Sequence, residues 1–195
     1  HTCFEDLAVM RTIPNAIVCD PCDQVQLDWM VRECAARNDG AIHYIRAYRK
    51  NVREVYEPGT KFELGKGQVL VPGTDVLLVG SGYLMADALD TAEELGRRGI
   101  SVEVVDPVTV KPFDEEIIWK EAQGKKLVVT YENHSVINGI GSAVADVLAK
   151  HGAGVPLLKL GAQDVFGQVG LVDLLKKEFR LTSADAVQAI EAALA

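Results

Sequence analysis

Glu132 and His134 stand one residue apart in Thr130-Tyr-Glu132-Asn133-His134-Ser135, directly after the apolar run Leu127-Val-Val129. A carboxylate and an imidazole just past a buried strand can act as general acid and base, and ligands commonly bind at that end of an open α/β sheet. The pair can equally order the loop that follows, Gly139-Ile-Gly141-Ser142. A second string, Gly80-Ser-Gly82-Tyr-Leu-Met85, follows a strand and opens a helix, and Asp106 ends the next strand. That spacing imitates a dinucleotide-binding fingerprint, but Met85 occupies the third glycine position, where close helix–strand approach is needed. A tight strand-to-helix turn is therefore the preferred reading, with a nicotinamide-dinucleotide site as the alternative. Cys19-Asp-Pro-Cys22 has the form of a redox or zinc motif, yet no second Cys-x-x-Cys pair exists to complete a metal site. Cys19 at a strand end and Asp20 as a helix cap, with Pro21 in the first position, explain the string as structure. No metal ligand and no cofactor-binding residue is assigned.

The elements that must hold these groups follow from the apolar periodicity. From Thr74 onward, short apolar runs at about 75–79, 102–105, 127–130 and 155–158 alternate with amphipathic stretches at about 84–98, 114–121 and 139–150. Gly99 is placed to end the first helix and Asp114 to cap the second, and Thr182-Ser-Ala-Asp185 opens the last helix as a capping box. Alternation of this kind builds a mostly parallel sheet covered by helices. Before it, residues 1–46 read as helix, strand, helix (about 23–37) and strand (41–46), only half of an α/β domain. With no strand for the opening helix to pack against, the sequence is expected to start inside a domain. Residues 47–73 carry Pro58-Gly59, Gly65, Gly67 and Pro72-Gly73, the breaker content of an interdomain connection, with 61–66 and 69–71 able to form a small hairpin.

A chain of 195 residues with 48% hydrophobic and 25% charged residues can bury a substantial core. It has no apolar run of membrane-spanning length, so no membrane partner is expected. The net charge of -8 argues against nucleic acid, which is bound through clustered Lys and Arg. Any phosphate must be met by local cations. The four cysteines, at 3, 19, 22 and 34, suit a reducing compartment.

Several strings in order carry a family resemblance. His1 precedes Glu5-Asp6, then come Ile13-Pro14-Asn15, a short strand, Pro21-x-Asp23, and Tyr48-Arg49-Lys50-Asn51; later come Lys111-Pro-Phe-Asp114, Glu132-Asn-His134, Gly139-x-Gly141 and Asp164-Val-Phe-Gly167. Nearly the whole chain resembles the carboxyl-terminal portion, or carboxyl-terminal subunit, of the thiamine-diphosphate-dependent transketolase family. The shared strings occur also in β subunits of 2-oxoacid dehydrogenases and in deoxyxylulose phosphate synthases, which stand as alternatives.

The resemblance implies an α/β fold in which 1–46 is the tail of a pyrimidine-binding domain, 47–73 a linker, and 74–195 a transketolase C-terminal-like domain with a mostly parallel mixed sheet. It implies transfer of a two-carbon ketol unit between sugar phosphates, with thiamine diphosphate and Mg2+ (or Ca2+) in the complete enzyme. It implies also a homodimer made through the C-terminal domain, missing N-terminal domains or a separate subunit, and a cytoplasmic location. His1 matches a histidine lining the thiamine and sugar channel, an imidazole able to shuttle a proton. Arg49 matches the arginine that grips the sugar phosphate, for which the guanidinium fork is suited, and Arg46 is a second substrate-binding candidate. Read without the family, these are a terminal histidine and two surface arginines. The resemblance favours an interface or loop-ordering role for Glu132 and His134. Asn138 stands where relatives often carry glycine, so that loop's conformation is expected to differ. The metal-diphosphate motif and the activating glutamate are absent, so this portion alone is expected to bind no cofactor and to be inactive; a plain dimerisation module is the remaining alternative.

Overall fold

The computed structural model describes residues 3–195. Helix α1 (Asp6–Thr12) leads to strand β1 (Ala16–Cys19), helix α2 (Gln24–Ala36) and strand β2 (Ile42–Ile45). After an irregular stretch come β3 (Gln68–Val71), β4 (Val76–Gly80), α3 (Met85–Arg97), β5 (Val102–Asp106), α4 (Glu115–Glu121), β6 (Leu127–Ser135), α5 (Ile140–Lys150), β7 (Leu157–Ala162), α6 (Val172–Glu178) and α7 (Ser183–Leu194).

The larger sheet has the order β3-β5-β4-β6-β7. Its neighbours pair in parallel except β3, which runs antiparallel along β5. Central β4 is buried along its whole length, which is why Val76-Leu77-Leu78-Val79 is continuously apolar: a parallel strand covered on both faces has no polar side. Alternate residues feed two cores. Leu78, Val104 and Val129 pack with Leu95 of α3 and Ile190 of α7. Leu77, Val105 and Val128 face the opposite way, against Ile118 of α4 and Val144 of α5, and Leu7 of α1 and Val18 of β1 join that second core. The carboxylate of Asp114 accepts from the Ile117 N–H, Gly99 takes the left-handed conformation (φ 83°) just past α3, and Thr182 and Asp185 form the expected capping box.

β1 and β2 form a separate two-stranded parallel sheet. Backbone bonds from Val18 N–H to Lys111 O (2.8 Å) and from Lys111 N–H to Val18 O (3.1 Å) join it to the loop after β5.

Three local expectations need correction. The cap of α2 is Asp23, whose Oδ1 accepts from Gln26 N–H at 2.8 Å; Asp20 is turned elsewhere. Residues 69–71 do not pair with 61–66; they belong to β3 and add to the edge of the large sheet, so the 47–73 stretch is itself partly sheet. That stretch is also anchored, because Asp23 Oδ2 accepts from the N–H groups of Val55 (2.9 Å) and Tyr56 (2.7 Å). The last strand lies at 157–162 rather than 155–158. Among the described residues no helix is long and apolar enough to cross a membrane.

Candidate functional site

The carboxyl ends of β1, β2, β4 and β6 converge, and each contributes a polar group to one buried junction. From the end of β1 comes Asp20, nearly inaccessible, whose Oδ1 accepts from the Tyr48 hydroxyl at 2.6 Å and whose Oδ2 accepts from the Ser81 hydroxyl at 3.0 Å. From the end of β2 comes Arg46. Its Nε lies 3.0 Å from Asp6 Oδ2, its Nη1 donates to Asn133 O at 2.7 Å, and its Nη2 donates to Cys3 O at 3.1 Å. The same Arg46 Nη1 is 3.9 Å from Asp20. Tyr44 donates its hydroxyl to Asp6 Oδ2 at 2.8 Å. One guanidinium thus gathers α1, β1, β2 and β6.

Electrostatics follow the geometry. Burial raises the Asp20 carboxyl above the usual range, while Arg46, Tyr48 and Ser81 pull it back. Burial works against the Arg46 charge, but the carboxylates of Asp20 and Asp6 outweigh it, so the guanidinium titrates above its ordinary value. Burial, then Asp20, pushes the Tyr48 phenol well up. Arg46 is cationic and both tyrosines are neutral hydrogen-bond donors.

The turn after β4 shows why the dinucleotide resemblance arises. Gly82 has a φ of 58°, and a Cβ there would overlap the Tyr48 hydroxyl oxygen and sit 2.6 Å from Asp20 Oδ2. The glycine admits protein side chains. At Gly80 an added Cβ would lie 2.9 Å from the end of the Met85 side chain, so helix and strand meet through a thioether. Asp106, the acid that would bind a ribose, is buried and accepts from Gln26 Nε2 (2.6 Å), the Tyr56 hydroxyl (2.6 Å) and Val108 N–H (2.8 Å). The fingerprint's parts are consumed by internal contacts.

Glu132 and His134 are both fully buried. Glu132 accepts from the Ile140 and Gly141 N–H groups at 2.8 and 2.9 Å, closing the start of α5. A side chain at Gly139 would collide with Glu132 Oε2, so that glycine is required by the cap. His134 Nδ1 lies 2.8 Å from Ser135 O, and its Nε2 accepts from Ala8 N–H at 3.3 Å, an arrangement met by the neutral ring protonated on Nδ1. Burial lowers its pKa in agreement. Arg11 Nη1 donates to Asn138 O (2.6 Å) and Gly139 O (2.8 Å), and Asn138 takes the left-handed conformation (φ 60°) available to glycine. These groups order the loop and dock α1 on it.

Of the residues singled out for substrate, His1 lies outside the described residues. Arg46 is in the buried junction, whereas Arg49, three residues on, is exposed on the segment leaving β2. Cys19 and Cys22 are free, buried thiols raised by burial, and among the described residues no group of three or more His, Cys, Asp or Glu side chains is placed to hold a metal ion. Asp6, Asp20, Tyr48, Ser81 and Gly82 are the site residues that sequence reading missed. The strings Glu5-Asp6, Tyr48-Arg49-Lys50-Asn51 and Gly80-Ser-Gly82 contain four of them, and none of those strings shows that the residues meet.

A fold of two cores around this sheet, with a β3 edge strand, has known counterparts. The family profile described as "Transketolase, C-terminal domain" matches residues 65–185. The chain belongs to that family. It is 42% identical over 189 residues to a 6-deoxy-6-sulfo-D-fructose transketolase subunit of Clostridium sp. (strain MSTE9), covering 97% of this chain and 58% of that protein. It is 42% identical over 183 residues to a putative transketolase C-terminal section of Methanocaldococcus jannaschii, covering 93% of this chain and 56% of that protein. A solved structure described as a split-gene transketolase, inactive beta4 tetramer, superposes with a TM-score of 0.91 at 41% identity, covering 100% of this chain and 62% of that one. The chain therefore spans little more than half the length of these relatives.

Proposed function

We propose that the chain is the carboxyl-terminal part of a transketolase that moves a two-carbon ketol unit between anionic sugars. The observation that carries this reading is the 0.91 TM-score over the entire chain at 41% identity to a split-gene transketolase. Thiamine diphosphate supplies the carbanion chemistry in such enzymes. In this reading the cofactor and its divalent ion are held by regions outside this chain, as the family resemblance implies. The four free cysteines suit the reducing cytoplasm.

In this reading Arg49 contacts the terminal anion of the sugar, a phosphate, or a sulfonate of the kind in the Clostridium relative's name. Arg46 is the fixed positive charge of the junction, and His1 is taken as the imidazole that moves a proton. Ketol transfer should appear when the chain is combined with the polypeptide supplying the other domains, and in neither part alone; transfer by this chain alone would refute the division of labour. In the combined enzyme, Arg49→Ala should remove a charge-assisted contact of about 1.5–3 kcal/mol, roughly ten- to a hundredfold in kcat/KM for phosphorylated sugars. Unphosphorylated acceptors should be spared. An equal fall for both would make Arg49 a structural residue.

Self-association through the C-terminal domain is part of the proposal. The segment around α6 exposes Phe166 (95%), Val169 (103%), Leu171 and Leu174, an apolar surface that a second copy would cover. Light scattering should give a dimer or a larger closed assembly. A concentration-independent monomer mass would contradict it.

A further inference from the structure

We infer that Tyr48, pinned by Asp20 into the space left by Gly82, is a positioning residue that sets where Arg49 presents its guanidinium. The inference rests on the proposed role of Arg49 and extends it to residues that never meet substrate.

The segment from Arg46 to Asn51 has no helix or strand of its own, so its course depends on side-chain anchors. Arg46 fixes one end. Tyr48 fixes the next point: its hydroxyl reaches Asp20 Oδ1 at 2.6 Å, and its ring meets that of Tyr83 edge-on, 4.9 Å between centroids. The anchor is itself held. Asp20 takes the Ser81 hydroxyl on its other oxygen, and its carbonyl accepts from Gly82 N–H at 3.2 Å. Tyr83 is backed by Lys176, 5.9 Å from its ring centroid and 2.5 Å from Asp87.

Tyr48 and Arg49 are adjacent, yet the first is partly buried against the β4 turn and the second is exposed. The two residues share one peptide unit, so the Tyr48 anchor fixes the backbone from which the Arg49 side chain extends. Holding the tyrosine therefore holds the root of the arginine side chain. A bound guanidinium needs this because its two-point contact with an anion is geometrically strict. Gly82 is the enabling residue, since any Cβ would occupy the place of the Tyr48 hydroxyl.

The test uses the complete enzyme with Tyr48→Phe, Gly82→Ala, Arg49→Ala and the Tyr48→Phe/Arg49→Ala double variant. Tyr48→Phe should raise KM for a phosphorylated ketose about five- to tenfold, with kcat and the turnover of unphosphorylated acceptors unchanged. Gly82→Ala, whose Cβ at a positive φ meets both Tyr48 and Asp20, should raise the same KM by a larger factor and lower stability as well. On phosphorylated substrate the double variant should be no worse than Arg49→Ala, because both losses run through one contact. The amides of β4 and β6 should keep their protection in Tyr48→Phe. If Arg49→Ala is selective for phosphorylated sugars but Tyr48→Phe leaves KM unchanged or lowers kcat on both substrate types, the positioning inference fails and the Arg49 assignment stands. If Arg49→Ala is unselective, both fall. Additive losses in the double variant would also overturn the inference.

Discussion

Arg46→Ala is expected to lower the unfolding free energy by about 3–5 kcal/mol, the range for removing one partner of a buried charge pair. The Arg46 and Asp6 side chains are only 11% and 13% exposed, so solvent cannot substitute for the lost guanidinium. Asp6 and Asp20 would face each other without a cation between them, and the carbonyls of Cys3 and Asn133 would lose their donors. Urea unfolding at neutral pH should show a lower midpoint at an unchanged slope, since the surface exposed on unfolding stays the same. Arg46→Lys should recover only part of the loss, because one ammonium cannot reach along the line from Asp6 to the two carbonyls. A cost below about 1 kcal/mol would place the pair with ordinary surface salt bridges, and the junction would then not be what holds the β1–β2 sheet in place.

The same junction shows where sequence reading succeeds and where it stops. Strands such as 76–80 and 127–130 are legible because burial on both faces demands an unbroken apolar run. The Thr182–Asp185 capping box, the Asp114 cap and the Gly99 stop are legible because their partners lie within a few residues. Asp20 and Asp23 mark the boundary. Both precede the same helix, and either suits a cap by type, but the choice is made by Tyr48 and Ser81, 28 and 61 residues away from Asp20. β3 reads in sequence as linker or half of a local hairpin because a four-residue edge strand among glycines has little periodicity, and its partner β5 lies more than thirty residues on. Arg46 and Arg49 look alike in sequence. Only the convergence of four strand ends separates the buried organiser from the exposed candidate. The glycine at 82 is legible as part of a tight strand-to-helix turn, whereas the Tyr48 hydroxyl that fills its open side is not.

Glu132 tests whether a buried acid at a helix start is held as a charge. Glu132→Ala should cost about 2–4 kcal/mol, through two unpaired N–H groups on α5 and the space left behind. The pH dependence is more discriminating. Burial pushes the Glu132 carboxyl from 4.5 up to about 7, against the pull of the Gly141 and Ile140 N–H groups and Arg11. Asp20 lies on the side of the neutral form, and His134, itself neutral, adds no cation. With the folded pKa above the unfolded one, the native state binds the extra proton. Stability from this site is then complete below about 4.5, falls as pH rises to about 7, and is constant above, a change of about 3 kcal/mol. Glu132→Gln keeps one acceptor and cannot titrate, so the difference in unfolding free energy between the native chain and this variant isolates the effect from every other carboxylate. That difference should shrink in the native chain's disfavour as pH rises from 4.5 to 7. A difference that grows over the same interval would mean that the two helix N–H groups and Arg11 overcome burial, and that Glu132 caps α5 as a carboxylate throughout.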